Sequence, residues 1–241
     1  MQDRFSRTRL LLGSDALGKL ASSRVIVFGV GGVGGYAVEA LARSGVGALD
    51  LVDDDEVSLT NINRQIIATS STIGRQKVDV MAERVRDINP NCKVVAHRCF
   101  YLPETSNRFD FAHYDYVVDA VDTVTAKLKL ISAAKEAGVP IICRMGAANK
   151  LDPTAFRVDD IYKTSICPLA RIIRKEARKR GLGHFKVVYS TEPALTPMLP
   201  DNWRDEQREG SSSRSLPGSV AWVPPAAGFA LASEVVRDLI A

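Results

Sequence analysis

Residues 24–45 read RVIVFGVGGVGGYAVEALARSG, and the reading of this stretch decides the fold. Residues 24–28 are a β-branched apolar run, the signature of a buried strand. Gly29, Gly31 and Gly34 follow with GxGxxG spacing, and residues 36–43 then show helical spacing that stops at Gly45. The order is strand, glycine turn, helix. Glycines permit the tight turn and let backbone approach phosphate oxygens closely. The helix start adds free N–H groups and partial positive charge. The turn is therefore expected to hold a nucleotide.

The same alternation continues outward. Strands are expected at 48–53, 93–98, 116–121 and 139–144. Helices are expected at 75–88, ended by Asn89-Pro90, and at 126–137. Continuous apolar strands alternating with helices predict a parallel sheet covered on both faces. After Gly146 the rhythm changes: a strand at 156–161, a basic helix from Pro168 to Arg180 closed by Gly181 and Gly183, a strand at 185–190, and a last helix over 227–240. The fold class is α/β: a Rossmann-like, doubly wound, mostly parallel sheet extended by further strands in the C-terminal half. One domain spans 1–241, with an ATP-binding part at 1–150 and a substrate-binding part at 151–241. A mobile loop is expected near 196–218, within a region where Pro193, Pro197, Pro200 and Pro217 accompany Ser211 to Ser213.

Composition narrows the class further. The chain has 241 residues, 46% of them hydrophobic and 25% charged, with a net charge of +4. Dominant disorder, a collagen or coiled-coil chain and a uniformly polycationic surface are excluded. Cys92, Cys99, Cys143 and Cys167 are too sparse for a disulfide scaffold, and none forms a C-x-x-C zinc pair. The segment up to Leu12 has no long apolar core for a signal peptide, and the apolar stretch over 220–232 is too short for a membrane span. A cytoplasmic protein is expected.

Charges beside the turn separate the candidate nucleotides. Asp53 ends the second strand, where an acid that holds ribose hydroxyls is expected. Arg64 and Lys77 follow within the same region. A nicotinamide enzyme has no need of two such cations, whereas a triphosphate does, so ATP is favoured. Asp119 and Asp122 lie at the end of the fourth strand, on the side where ligands of open α/β sheets bind, and a carboxylate there can hold Mg2+. Asp122 could equally cap the helix that follows.

Five ordered motifs, GVGGVG, DxDxVxxxNxxR, GxxK, INP and VVDAxD, run through residues 29–122. The chain resembles the ubiquitin-activating-enzyme-like adenylation family of MoeB, ThiF and HesA proteins, which attach a carboxylate to AMP. The resemblance covers residues 4–147. It implies that Gly29, Gly31, Gly32 and Gly34 form the nucleotide loop and that Asp53, Asp55, Asn61 and Gln65 bind the nucleotide. It also implies that Arg64 and Lys77 bind phosphates and that Asp122 is the metal residue. Arg7 matches an arginine that in this family reaches a neighbouring subunit's phosphates, which implies a homodimer. The expected catalytic set is Arg64, Lys77, Asp122 and Arg7.

The second half lacks the paired zinc cysteines common in that family. Leu151-Asp-Pro-Thr154, Pro168-Leu-Ala170, Tyr189-Ser-Thr-Glu192 and Ala226-Ala-Gly228 instead resemble the branch that dehydrates threonylcarbamoyladenosine in tRNA. That branch implies ATP-dependent adenylation of the threonyl carboxylate and then intramolecular ring closure. The alternative is adenylation of the Gly-Gly carboxylate of a ubiquitin-like sulfur-carrier protein. The helix over 168–180 carries Arg171, Arg174, Lys175, Arg178, Lys179 and Arg180 against Glu176; five of these, Arg171, Arg174, Lys175, Arg178 and Lys179, are the expected tRNA contacts. Arg204, Arg208 and Arg214 could add to them. Cys167 is read as a structural thiol. A monovalent cation and a sulfur-transfer protein partner stay open as further requirements.

Overall fold

The computed structural model describes residues 3–101, 105–198 and 217–241. Its elements are α1 (Ser6–Ser22), β1 (Arg24–Phe28), α2 (Gly34–Ser44), β2 (Ala48–Val52), α3 (Lys77–Ile88), β3 (Lys93–His97), β4 (Tyr116–Asp119), α4 (Val124–Glu136), β5 (Ile141–Arg144), β6 (Phe156–Asp160), α5 (Pro168–Arg180), β7 (Lys186–Ser190) and α6 (Val223–Ile240). The strands form one seven-stranded sheet in the order β3-β2-β1-β4-β5-β7-β6. All neighbours run parallel except β6, an antiparallel edge strand on β7.

The period of two along β1 builds both cores. Val25 and Val27 pack with Leu41 of α2, Met81 of α3 and Leu231 of α6. Ile26 and Phe28 pack on the opposite face with Leu128 and Ile131 of α4 and Ile173 of α5. Each face of the sheet is thus covered by helices, as the continuous apolar strands require. The chain winds from β1 out to β3, returns to β4 and winds the other way, so the order reverses between β1 and β4. A crevice opens at the carboxyl ends of the strands at such a reversal.

Three elements differ from the sequence expectation. Helix α1 was not foreseen: its apolar spacing is poor, it kinks at Gly13 (φ 85°), and Leu10 and Leu11 on it are exposed. Helix α6 begins at Val223, with Pro224 and Pro225 in its first turn. Prolines lack only an N–H that has no helical partner there, so they start this helix instead of breaking the apolar stretch. Strand β4 stops at Asp119, which frees residues 120–123 as a loop at the crevice. The loop expected near 196–218 falls mainly on residues 199–216, which lie outside the described residues, as do Arg204, Arg208 and Arg214. No helix among the described residues is long and apolar enough to cross a membrane.

Candidate active site

A cleft of about 390 Å3 opens at the strand ends around the reversal point. Gly29 turns the chain with φ 89°, and a Cβ there would lie 2.9 Å from the Ala120 carbonyl. Gly34 differs in kind: a Cβ on it would sit 1.8 Å from the Gly29 oxygen. It lets helix α2 close onto the turn and is not part of the cleft wall, whereas Gly29, Gly31 and Gly32 are. Helix α6 lies close against the loop: a Cβ on Gly32 would come within 3.3 Å of Pro224, and a Cβ on Gly228 would meet the Val33 oxygen at 2.4 Å.

The polar lining contains most of the expected residues: Asp53, Asp55, Asn61, Arg64, Gln65, Lys77 and Asp122 all face this cleft. Asp53 accepts the Val30 amide at 2.6 Å and the Asp55 amide at 3.0 Å, which fixes the glycine turn to the end of β2. Burial raises the Asp53 pKa, with the Lys77 charge opposing. Lys77 starts α3 and is buried, and its ammonium meets the Asp55 carboxylate at 2.5 Å. Arg64 donates to the Thr60 carbonyl and the Asn63 side-chain oxygen, both at 2.9 Å. Burial pulls its pKa below the usual guanidinium value, yet a guanidinium stays charged at neutral pH. No carboxylate among the described residues forms an ion pair with it. A partly desolvated cation without a counter-charge favours an incoming anion.

Asp119 and Asp122 part ways. Asp119 is fully buried and paired to Lys127, also fully buried, at 3.0 Å. Lys127 additionally donates to the Arg144 carbonyl at 2.7 Å. Asp122 is exposed in the cleft and pairs with Arg144. It does not cap α4, because the N-cap is Thr123. Magnesium is usually held by one or two protein carboxylates together with phosphate oxygens. Asp122 fits that donor set and Asp119, already neutralised by Lys127, does not.

Arg144 was missed by the sequence reading. It ends β5, its side chain is 13% exposed, and it lines the cleft. An arginine at the carboxyl end of a parallel strand, just before Gly146, was the available signal. Tyr101 was missed as well. Its ring packs against Phe28, and burial pushes its phenol up to about 12. Its hydroxyl and the Gln65 Oε1 are buried in the cleft wall without a hydrogen-bond partner among the described residues.

Some expected residues lie elsewhere. Arg7 is exposed on the first turn of α1 and does not line the cleft. Cys167 is buried, with Sγ 3.6 Å from where a Cβ on Gly146 would be. On α5, Arg171, Lys175, Arg178 and Lys179 are exposed, with Arg178 lying over the Tyr162 ring at 5.1 Å. Arg174 departs from the expected set. It is half-buried and donates to Thr164 at 2.8 Å and 2.5 Å, so its guanidinium ties α5 to the preceding turn.

Comparison with known proteins agrees with this geometry. Residues 5–237 match the model of the ThiF family. A Bacillus subtilis relative named tRNA threonylcarbamoyladenosine dehydratase is 43% identical, over 100% of this chain and 96% of its own length. The structure of E. coli tRNA N6-threonylcarbamoyladenosine dehydratase, TcdA, in complex with ATP superposes with a TM-score of 0.87 at 35% identity, covering 98% of this chain and 93% of that one. The complex of the same enzyme with AMP gives 0.86 at 36% identity, covering 98% and 94%. With the glycine turn, the Arg64 and Lys77 cations and the Asp122 carboxylate in one cleft, and with the family model matched over nearly the whole length, this chain belongs to the ThiF family.

Proposed function

We propose that this protein is an ATP-dependent dehydratase that cyclises threonylcarbamoyladenosine in tRNA. The observation that carries the reading is the cleft itself: Arg64, with no carboxylate partner among the described residues, buried Lys77 and exposed Asp122 face one glycine turn. Support also comes from a relative that carries this name, aligned along the whole chain, and from structures of a similar enzyme in complex with ATP and with AMP.

ATP lies with its ribose at Asp53 and its phosphates over Gly29, Gly31 and Gly32, where loop N–H groups and the start of α2 face negative charge. Arg64 and Lys77 hold the outer phosphates. Asp122 would hold magnesium, which when bound supplies positive charge against the phosphates. The threonyl carboxylate attacks the α-phosphorus and pyrophosphate leaves. A nitrogen of the same modification then attacks the acyl carbon. AMP departs with the carboxylate oxygen, and the nitrogen loses its proton. Both groups sit on one substituent, so the effective concentration is high and no protein nucleophile is needed. Buried Cys167 is consistent with this scheme.

The division of labour follows the chain: residues 1–150 bind ATP, and residues 151–241 select the substrate. Arg171, Lys175, Arg178 and Lys179 on the outer face of α5 meet the RNA backbone. Arg7, beside exposed Leu10 and Leu11, reaches the phosphates of a second subunit in a homodimer. The cytoplasm, where tRNA and reduced thiols coexist, is the compartment we assign.

The test is direct. The protein is incubated with MgATP and tRNA carrying threonylcarbamoyladenosine, and the nucleoside mass is measured. An ATP-dependent loss of one water is expected. Intact nucleoside, together with ATP–pyrophosphate exchange stimulated only by a Gly-Gly carrier protein, would overturn the reading in favour of carrier activation.

A further inference from the structure

Along the strand ends the cleft groups stand in spatial order. Asp53 follows β2, the glycine turn follows β1, Asp122 follows β4 and Arg144 ends β5. In the function proposed above, the nucleotide occupies the β2 and β1 end of this row. Arg144 lies beyond the metal carboxylate, two strand spacings from the glycine turn, or about 10 Å. That is the acceptor side of the α-phosphate.

The side chain is held firmly. Nε donates to the Ala120 carbonyl at 3.1 Å, and Nη1 lies 3.5 Å from the Met145 carbonyl. Only the outer edge of the guanidinium points into the cleft, and there Nη2 meets the Asp122 carboxylate. Arg144 is thus an anchored cation whose free edge already binds a carboxylate. The reaction needs a second carboxylate brought beside a triphosphate, against strong like-charge repulsion. A guanidinium edge suits that task in both charge and shape.

We propose that Arg144 receives the acceptor carboxylate of the substrate, and that Asp122 occupies this position in the structure as an internal stand-in. The assignment rests on the function proposed above. Asp122 and the acceptor carboxylate compete for one guanidinium edge. Asp122 engaged in holding magnesium leaves that edge open, so loading of the nucleotide and binding of the acceptor are coupled. Lys77 repeats the pattern, its ammonium being held by Asp55 of the same cleft.

The experiment measures binding of tRNA with and without the threonylcarbamoyl group, in the presence of magnesium and an ATP analogue with a methylene between the α- and β-phosphorus atoms. Wild-type protein is expected to prefer the modified tRNA. Arg144→Gln should cut that preference about ten- to hundredfold, the size expected for a charge-assisted carboxylate bond, with an unchanged far-ultraviolet circular dichroism spectrum as the check of folding. Arg144→Lys should restore part of it. Asp122→Ala should raise affinity for modified tRNA when nucleotide is left out, and no rise would remove the stand-in role. A full preference in Arg144→Gln overturns the assignment of Arg144 alone. No preference in the wild type overturns the tRNA reading, and the assignment falls with it.

Discussion

Asp122 is the residue on which the proposed chemistry turns, because it is the exposed carboxylate at the end of β4 while its neighbour Asp119 is buried and neutralised. Asp122→Asn is expected to lower turnover by about a hundredfold or more while the melting temperature stays unchanged. Full turnover by that variant would remove Asp122 from the metal role. The glycines divide in the same residue-specific way. Gly34→Ala drives a methyl into the Gly29 carbonyl, and urea denaturation should show a loss of about 1–3 kcal/mol, the usual cost of overpacking. Gly31, with nothing nearer than 3.8 Å to a Cβ, should accept alanine with unchanged stability.

At the scale of elements, the Asp119–Lys127 pair couples the end of β4 to α4 and, through the Arg144 carbonyl, to β5. Lys127→Met leaves Asp119 buried and uncompensated. An equilibrium unfolding measurement should record a loss of about 3–5 kcal/mol. Helix α5 has two faces. Ala170, Ile173 and Ala177 are buried, Arg174 is engaged with Thr164, and Arg171, Lys175 and Lys179 point outward at helical spacing. Reversing Arg171 and Lys175 to glutamate should weaken tRNA binding, leave ATP binding intact and reduce the salt dependence by about one unit of slope per lost phosphate contact. Unchanged affinity at low salt would make this face a merely solvated one. Arg174→Glu belongs to a different experiment, since it would report on stability before it reported on RNA.

At the scale of the molecule, one sheet joins residues 1–150 to residues 151–241: β5 of the former pairs with β7 of the latter. The strand order reverses between β1 and β4, and the cleft forms there. The first half of α1 leaves Leu10 86% and Leu11 88% exposed beside Arg7, an apolar surface that a second subunit would cover. Leu10→Asp with Leu11→Asp should convert a dimer to a monomer in sedimentation equilibrium; a wild-type monomer would end the role of Arg7 in a partner's site.

The alternation of strand and helix, the glycine turn and the cations beside it were legible because each is a local pattern: periodicity, turn geometry and spacing act over a few residues. Helix α1 and the start of α6 were not. The first owes little to an amphipathic pattern, and the second opens with prolines that also signal a break. Of the residues that line the cleft, Asp53, Arg64, Lys77 and Asp122 stand in motifs that the sequence shows. Arg144 and Tyr101 stand in no such motif; the one local sign of Arg144 is its place at a strand end just before Gly146.

The amino-acid sequence by itself determined an α/β chain with a glycine turn between its first strand and the helix that follows, and the family resemblance that points to adenylation. Only the tertiary structure decided that Lys127 consumes Asp119, that Arg174 turns inward, that Gly34 packs instead of lining the cleft, and that Arg144 faces Asp122. The physical reason is that backbone preferences act locally, whereas the partner of a charge is chosen by which distant strands and helices the fold brings together, and by how much water remains around them.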